Sequence, residues 1–502
     1  MARSYGPTGV SRRRLLAALA GLTVVAPLLG ACAPSAPPTN TPAPAKPAEA
    51  PKPAAPAAAA PTNTPLTPVK PTEVAKPAEA AKPTEVPKAA AGAPSAAAGK
   101  IVFLNAGNLD APEEAPRKKV YTDFMAKYPG ITWDIRALPG GKDWDRLART
   151  SVSAGEQVDL LAINGQFVKA WFRDNLLYEI SSDKEAASFL NRLEPAFLDA
   201  ASPGGKRYYT VPLASMGGVH VTVLYYNKAL LDKASAQPPK TTDDLQALVA
   251  PLKGAGASPM VHPSGDVWFN PLLVMWIQPM VVDNKPVEFT ERTQKGEVKY
   301  NSPEWLKTFQ IIADLGKNGA LLPGSGAIGN DASIQLLYQG KAAMLYQGSW
   351  TYPSLKTPPA GAAFDLHVTG LPIVSPAPKA QPLIAFGGYS IPVASKNRDA
   401  AMAFIKFAAD PEIDARVVEA VQQFSPMSAS NTKITDPVSK EIAPWFKDGV
   451  PPLDWLWEPE ITTEIQNLVQ TLVKGEGAPQ AAGDAVQAKA EQLRREGRSY
   501  YK

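Results

Sequence analysis

The sequence predicts an α/β protein built on a mostly parallel sheet, and two observations carry that expectation. Between residues 101 and 177, short apolar runs alternate with helix-patterned segments in the order strand, helix, strand, helix, strand. That order implies right-handed crossovers between parallel strands. Residues 333–350 repeat the theme: Ile334, Leu337 and Tyr338 share a helical face, 342–346 form an apolar run, and Gly348 and Trp350 follow. Gly340 suits the left-handed residue that ends a helix, and Gly348 permits a sharp turn. In open α/β sheets ligands sit in the crevice outside the carboxyl ends of the strands, where this pattern puts Trp350. A lone aromatic there is ordinarily packing, so the segment needs support from the rest of the chain.

In chain order, Arg12, Arg13 and Arg14 precede an apolar run over 15–29, followed by Gly30, Ala31 and Cys32. A positive flank, a short apolar core and small residues form a secretory signal, not a permanent span. Leu29-Gly30-Ala31-Cys32 resembles the bacterial lipoprotein box, which implies cleavage before Cys32 and lipidation of its thiol. The run from Ser11 to Leu16 also resembles a twin-arginine export signal, so general and twin-arginine export both stay open. Residues 1–32 are thus read as a lipoprotein signal peptide. Residues 33–99 are dominated by Pro, Ala, Thr, Lys and Glu, and repeat Lys-Pro-Thr-Glu-Val at 70–74 and 82–86. Without aromatics this stretch cannot offset its chain entropy, so it is read as a disordered, locally extended tether.

Cys32 is the single cysteine, which excludes an intramolecular disulfide. His220, His262 and His367 lie far apart and show no zinc spacing; a carboxylate-only metal site stays open. A net charge of +4 without a basic block in the body leaves no footprint for nucleic acid.

The body, 100–502, opens with the strand Ile101-Val102-Phe103-Leu104, ending at Asn105. Residues 116–128 pattern as a helix with Val120, Phe124 and Met125 on one face. A strand is expected at 131–135, a helix at 143–154, a buried strand at 158–163 ending at Asn164, and a helix at 167–172. A single helix is expected from Thr242 to Gly254, and two more at 460–473 and 478–496.

The strings at 124–135 and 153–164, then Val211-Pro212-Leu213, Tyr225-Tyr226-Asn227-Lys228, Pro238-Pro239-Lys240-Thr241, residues 337–350 and 385–391, together resemble family 1 extracellular solute-binding proteins. These are receptors of ABC importers, the maltodextrin-binding type among them. The resemblance implies a two-lobed type II periplasmic-binding-protein fold. Each lobe is then a mixed, mainly parallel sheet flanked by helices, with the ligand cleft between lobes. It implies lobe one at about 100–218 and 370–424 and lobe two at about 219–369 and 425–502. Crossings are expected near 215–224, 365–372 and 424–430. It further implies a monomeric receptor, exported and anchored to the outer face of the cell membrane through Cys32. Such a receptor captures a sugar or oligosaccharide by lobe closure and delivers it to permease subunits, with no cofactor and no catalysis. Two alternatives stand beside it: a surface adhesion or sensing lipoprotein, and a glycoside hydrolase with paired carboxylates. Against the enzyme, the chain has no G-x-S-x-G, H-E-x-x-H or P-loop.

Sugars present apolar CH faces and a rim of hydroxyls, which flat aromatics and amides or carboxylates respectively can hold. On the resemblance, the ligand-binding candidates are Asn105, Asp110, Asn164, Trp268, Trp350, Gly387, Gly388 and Tyr389, with Glu113 near Asp110. The plainer roles are turn caps for the asparagines and packing on Trp276 for Trp268. Trp455 and Trp457, in Leu453-Asp454-Trp455-Leu456-Trp457, are both read as packing. Asp159 is read as orienting a strand end, and His262 and His367 as core or surface residues.

Overall fold

The computed structural model describes residues 99–499, except 112–113, 140, 201 and 203–205. The signal peptide, Cys32, the tether and Glu113 lie outside the described residues.

Nine strands form the framework: β1 (Gly99–Ala106), β2 (Ile131–Leu138), β3 (Leu160–Asn164), β4 (Val211–Pro212), β5 (Val219–Asn227), β6 (Ser258–Val261), β7 (Ala342–Gly348), β8 (Leu366–Thr369) and β9 (Ile384–Ser390). Their order is β2-β1-β3-β9-β5-β7-β6, with β4 on β9 and β8 on β5. Parallel pairing appears where helices connect the strands, in β2-β1-β3 and in β6-β7. The long strands β5 and β9 pair antiparallel with their neighbours.

Those two strands join the lobes. The first residues of β5, Val219, His220 and Val221, pair with Phe386, Ala385 and Ile384 of β9. The rest of β5 pairs with β7, while Gly387–Ser390 of β9 pair with β3. Strand β9 therefore carries the chain back to the first lobe. The crossing expected near 365–372 falls instead on β8, which pairs with the far end of β5. Near the third expected crossing, Phe424 bridges to Val219.

In the first lobe both faces of the sheet are covered. Ile101 and Phe103 face the larger core with α1 (Ala115–Lys127). Leu104 faces a smaller core with Trp144 of α2 (Gly141–Ser153) and Trp171 of α3 (Gly165–Arg173). Strands buried on both faces read as continuous apolar runs, as β1 does. On α1 the buried set is Val120, Tyr121 and Phe124, so Tyr121 stands where the pattern suggested Met125. Its ring stacks 5.7 Å from Phe103 and 5.1 Å from Phe404.

Asp159, just before β3, ties this lobe together. Its carboxylate accepts from Val102 N at 3.0 Å, Gln157 Nε2 at 3.0 Å, Ser395 Oγ at 2.9 Å and Asn397 N at 3.1 Å. Burial pushes its pKa up, but these hydrogen bonds outweigh it and hold the group below the ordinary carboxylate value.

The second lobe packs the helices Pro303–Lys317 and Pro459–Val473 around the helix Asn270–Val281, which is buried on all sides from Asn270 to Met280. The helix expected from Thr242 to Gly254 is two, Thr242–Ala247 and Val249–Gly254, broken at Leu248. Pro251 has no N–H for the Ala247 carbonyl, which ends the first ladder there. Gly340, at φ 65°, ends the helix Asn330–Tyr338 in the left-handed region, and every residue of β7 is buried.

Candidate functional site

The cleft between the lobes holds a cavity of about 680 Å³, within the usual range of small-molecule sites. The first lobe supplies the carboxyl end of β1, the loop to α1 with Arg117, and the junction of β3 with α3. The crossing strands supply His220, Ala385, Phe386 and Gly387. The second lobe supplies Trp268, Leu272, Met275 and Trp350, and a late segment adds Pro452, Asp454 and Trp455.

Trp350 follows β7 as expected, but Gly348 serves it differently from the expected turn. Gly348 has extended backbone, φ −87° and ψ 161°. A Cβ there would lie 2.1 Å from the Trp350 indole. The glycine is therefore needed for the ring to fold back over the strand end. Trp350 meets Trp268 with ring centres 6.5 Å apart. Trp268 is 39 % exposed, whereas Trp276 is buried and donates to the Pro372 carbonyl. The plainer role as a partner of Trp276 is not the one this structure shows.

His220 lies edge-on to Trp350, ring centres 5.9 Å apart, with Nδ1 3.3 Å from Ser349 Oγ. Burial first, and the nearby Arg117 charge second, push its pKa down to about 3, so it is neutral and positions the indole without adding charge.

Asn164 precedes α3 and is exposed, with no side-chain cap hydrogen bond. Its amide is free to meet a ligand. Asn105 also lines the cavity, but its Nδ2 donates to the carbonyls of Ala106 at 3.3 Å and Gly107 at 3.0 Å, which makes it in large part a turn brace. Gly387 lines the cavity, and a Cβ on it would reach the Met216 carbonyl oxygen at 2.6 Å.

Three expected contacts are placed elsewhere. Tyr389 is fully buried, its hydroxyl 2.7 Å from that of Tyr121 and 3.1 Å from the Ser215 carbonyl oxygen. Tyr389 shares its face of β9 with Gly387, two residues before it, but lies deeper, where its ring enters the first-lobe core beneath the Ser215–Met216 turn. Gly388 lies against Thr210 and Val211 on β4. Asp110 points to solvent and pairs with Lys118, while its neighbours Leu109 and Ala111 line the cavity.

The sequence reading missed Arg117, His220 and Asp454; Trp455, which it took as packing, is buried and joins the larger core, while its ring also borders the cavity. Residues Leu453–Leu456 form a 3-10 turn rather than a strand. Its Leu453 and the following Trp457 enter the second-lobe core. Trp455 points the other way, edge-on to Phe386 with centres 4.9 Å apart. It also covers Gly165, where a Cβ would lie 2.2 Å from the indole. Burial pushes the Asp454 carboxyl up to about 7, against weaker support from the backbone N–H groups of Asp454 and Trp455. Of the other histidines, His262 is a core residue and His367 contacts Asp365 and Glu441. Among the described residues no group of three His, Cys, Asp or Glu is placed to hold a metal, and no helix is long and apolar enough to cross a membrane.

Comparison with known proteins gives this arrangement a family. Over 160 residues the chain is 31 % identical to the sn-glycerol-3-phosphate-binding periplasmic protein of Brucella abortus (strain 2308), covering 29 % of this chain and 35 % of that one. Over 142 residues it is 28 % identical to a probable sugar-binding periplasmic protein of Rhizobium meliloti (strain 1021), covering 28 % and 33 %. The matches thus span about a third of these curated relatives. Among solved structures, the GacH receptor of Streptomyces glaucescens GLA.O superposes with a TM-score of 0.64 at 18 % identity, over 81 % of this chain and 100 % of that one. A chitin oligosaccharide binding protein does so with 0.67 at 19 %, over 79 % and 98 %. Both likenesses show the two-lobed type II fold. Residues 119–444, well over half of the chain and including β2 to β9, match the model of the bacterial extracellular solute-binding proteins, and the chain belongs to that family.

Proposed function

We propose that this protein is a lipid-anchored receptor that captures a sugar or oligosaccharide between its lobes and delivers it to the permease of an ABC importer. The observation that carries this reading is the convergence of Trp268, Trp350 and Trp455, from three separate segments, on one cleft that Asn164 also lines. Aromatic faces match the CH surfaces of a sugar ring, and the amide matches its hydroxyls. The ligand-contacting set is Asn105, Asn164, Trp268, Trp350 and Gly387, joined by Trp455. Closure then couples capture to delivery, because only a bound ligand contacts both lobes at once. The names of relatives and neighbours support an exported, solute-capturing role: the two curated relatives are periplasmic binding proteins, and the GacH structures include a complex with acarbose. No turnover is involved, and the protein acts as a monomer tethered through Cys32.

The test is thermal unfolding across a panel of malto-, cello-, xylo- and chito-oligosaccharides. A rise in midpoint with at least one of them, and no product released, is the expected result. Cleavage of any panel member would replace this reading with that of a glycoside hydrolase.

A further inference from the structure

The space between the lobes does not end at Trp455. Beside the main cavity lies a second one of about 380 Å³, itself within the range of small-molecule sites. Gly165, Pro452 and Trp455 border both cavities, so the partition there is a glycine, a proline and a tryptophan. The segment that carries it is anchored to the start of β9. Ile384 N donates to the Val450 carbonyl oxygen at 2.8 Å, and Val450 N to that of Pro382 at 2.9 Å.

The second cavity, like the first, draws on both lobes. Val168 and Lys169 of α3 lie one helical turn on from Gly165, on the same face. Val287 comes from the helix Pro286–Gln294, which packs on the second-lobe core. Asp199, on the helix Pro195–Ala200, is exposed, so the cavity opens to solvent there. Val168, Val287 and Leu456 make its walls apolar, while Lys169 supplies N–H donors and Asp199 carboxylate acceptors. Apolar walls edged by such groups suit the CH faces and hydroxyls of a sugar ring. A chain that runs past Trp455 therefore stays between the lobes instead of projecting into solvent.

We propose that the second cavity is an extension subsite. The solute is an oligosaccharide whose first units fill the main cavity and whose further units pass Trp455 to lie between α3 and Val287. This rests on the solute-capture reading of the cleft and adds chain length to it.

The experiment is calorimetric titration of the full chain with malto-, cello-, xylo- and chito-oligosaccharides, from disaccharide to hexaose. Two variants narrow the second cavity alone: Ala196→Trp, at an exposed position on its wall, and Val287→Phe, at a half-buried one. Thermal unfolding checks that each is folded. In at least one series, affinity is expected to rise about ten-fold or more from trisaccharide to hexaose. Each folded variant is expected to lose most of that gain, the loss falling on long chains and not on the shortest probe that binds. Affinity that is level beyond the trisaccharide, or a gain that the folded variants retain, overturns the extension and leaves solute capture intact. Silence from every probe removes the saccharide reading and this inference with it.

Discussion

At the scale of single residues, Trp350 and Asp454 make opposite demands on the molecule. Trp350 lines the cavity and is only partly buried, at the edge of the second-lobe core. Trp350→Ala is expected to weaken ligand binding at least about 30-fold while moving the thermal midpoint by no more than about 3 °C; titration beside calorimetric unfolding checks both. Asp454 should cost stability at neutral pH. Its folded pKa, about 7, is raised above that of an unfolded aspartate, so its contribution is fully present below about pH 4 and is lost as pH rises through about 7. Asp454→Asn is therefore expected to stabilise the ligand-free protein by about 1–3 kcal/mol at pH 8.5, with the gain vanishing near pH 4. Denaturant melts at the two pH values read this directly. Trp350 was legible in the sequence because a helix, a buried strand and an aromatic follow one another within 18 residues of local pattern. Asp454 and Trp455 were not, because alternation in Leu453-Asp454-Trp455-Leu456-Trp457 resembles a strand, and only the 3-10 turn sends Trp455 away from Leu453 and Trp457.

At the scale of elements, two junctions set the cleft. Helix α3 starts at Gly165, where the Trp455 indole occupies the space a side chain would need. Gly165→Ala should lower stability by about 1–3 kcal/mol and shift the intrinsic fluorescence of the cleft tryptophans. An unchanged spectrum and midpoint would show that the turn yields without consequence. The second junction is Asp159, whose carboxylate gathers N–H and hydroxyl donors from β1 and from the segment after β9. Its folded pKa is lowered, so its stabilisation is present above the unfolded value and lost as pH falls through the folded one. Asp159→Asn should cost about 1–3 kcal/mol at pH 7, with the difference from wild type shrinking below about pH 4. The βαβ units were legible because their periodicity is local. Strand β9 as the route back was not, because its pairing with both β3 and β5 joins residues more than 150 positions apart.

At the scale of the whole molecule, β5 and β9 are at once the bridge between lobes and part of the cleft wall, through His220 and Ala385 to Gly387. On the proposed closure, a ligand seated there lies close to the strands that join the lobes. Its effect on shape should be a modest closure, read as a smaller radius of gyration in solution scattering when the binding oligosaccharide is added. The proposed anchor belongs to this scale as well. Cys32→Ser should move the protein from the membrane fraction to the medium or periplasm on fractionation; retention equal to wild type would remove the lipid anchor.

The wall that Trp455 completes has a consequence for how the receptor comes into being. The cleft is assembled from residues as early as Asn105 and as late as Trp455. A nascent chain lacking the Trp455 segment holds both crossing strands and Trp350 but has no finished pocket. Solute therefore cannot assist the early stages of folding, and a fragment cut before Pro452 should compete poorly for ligand with the intact receptor.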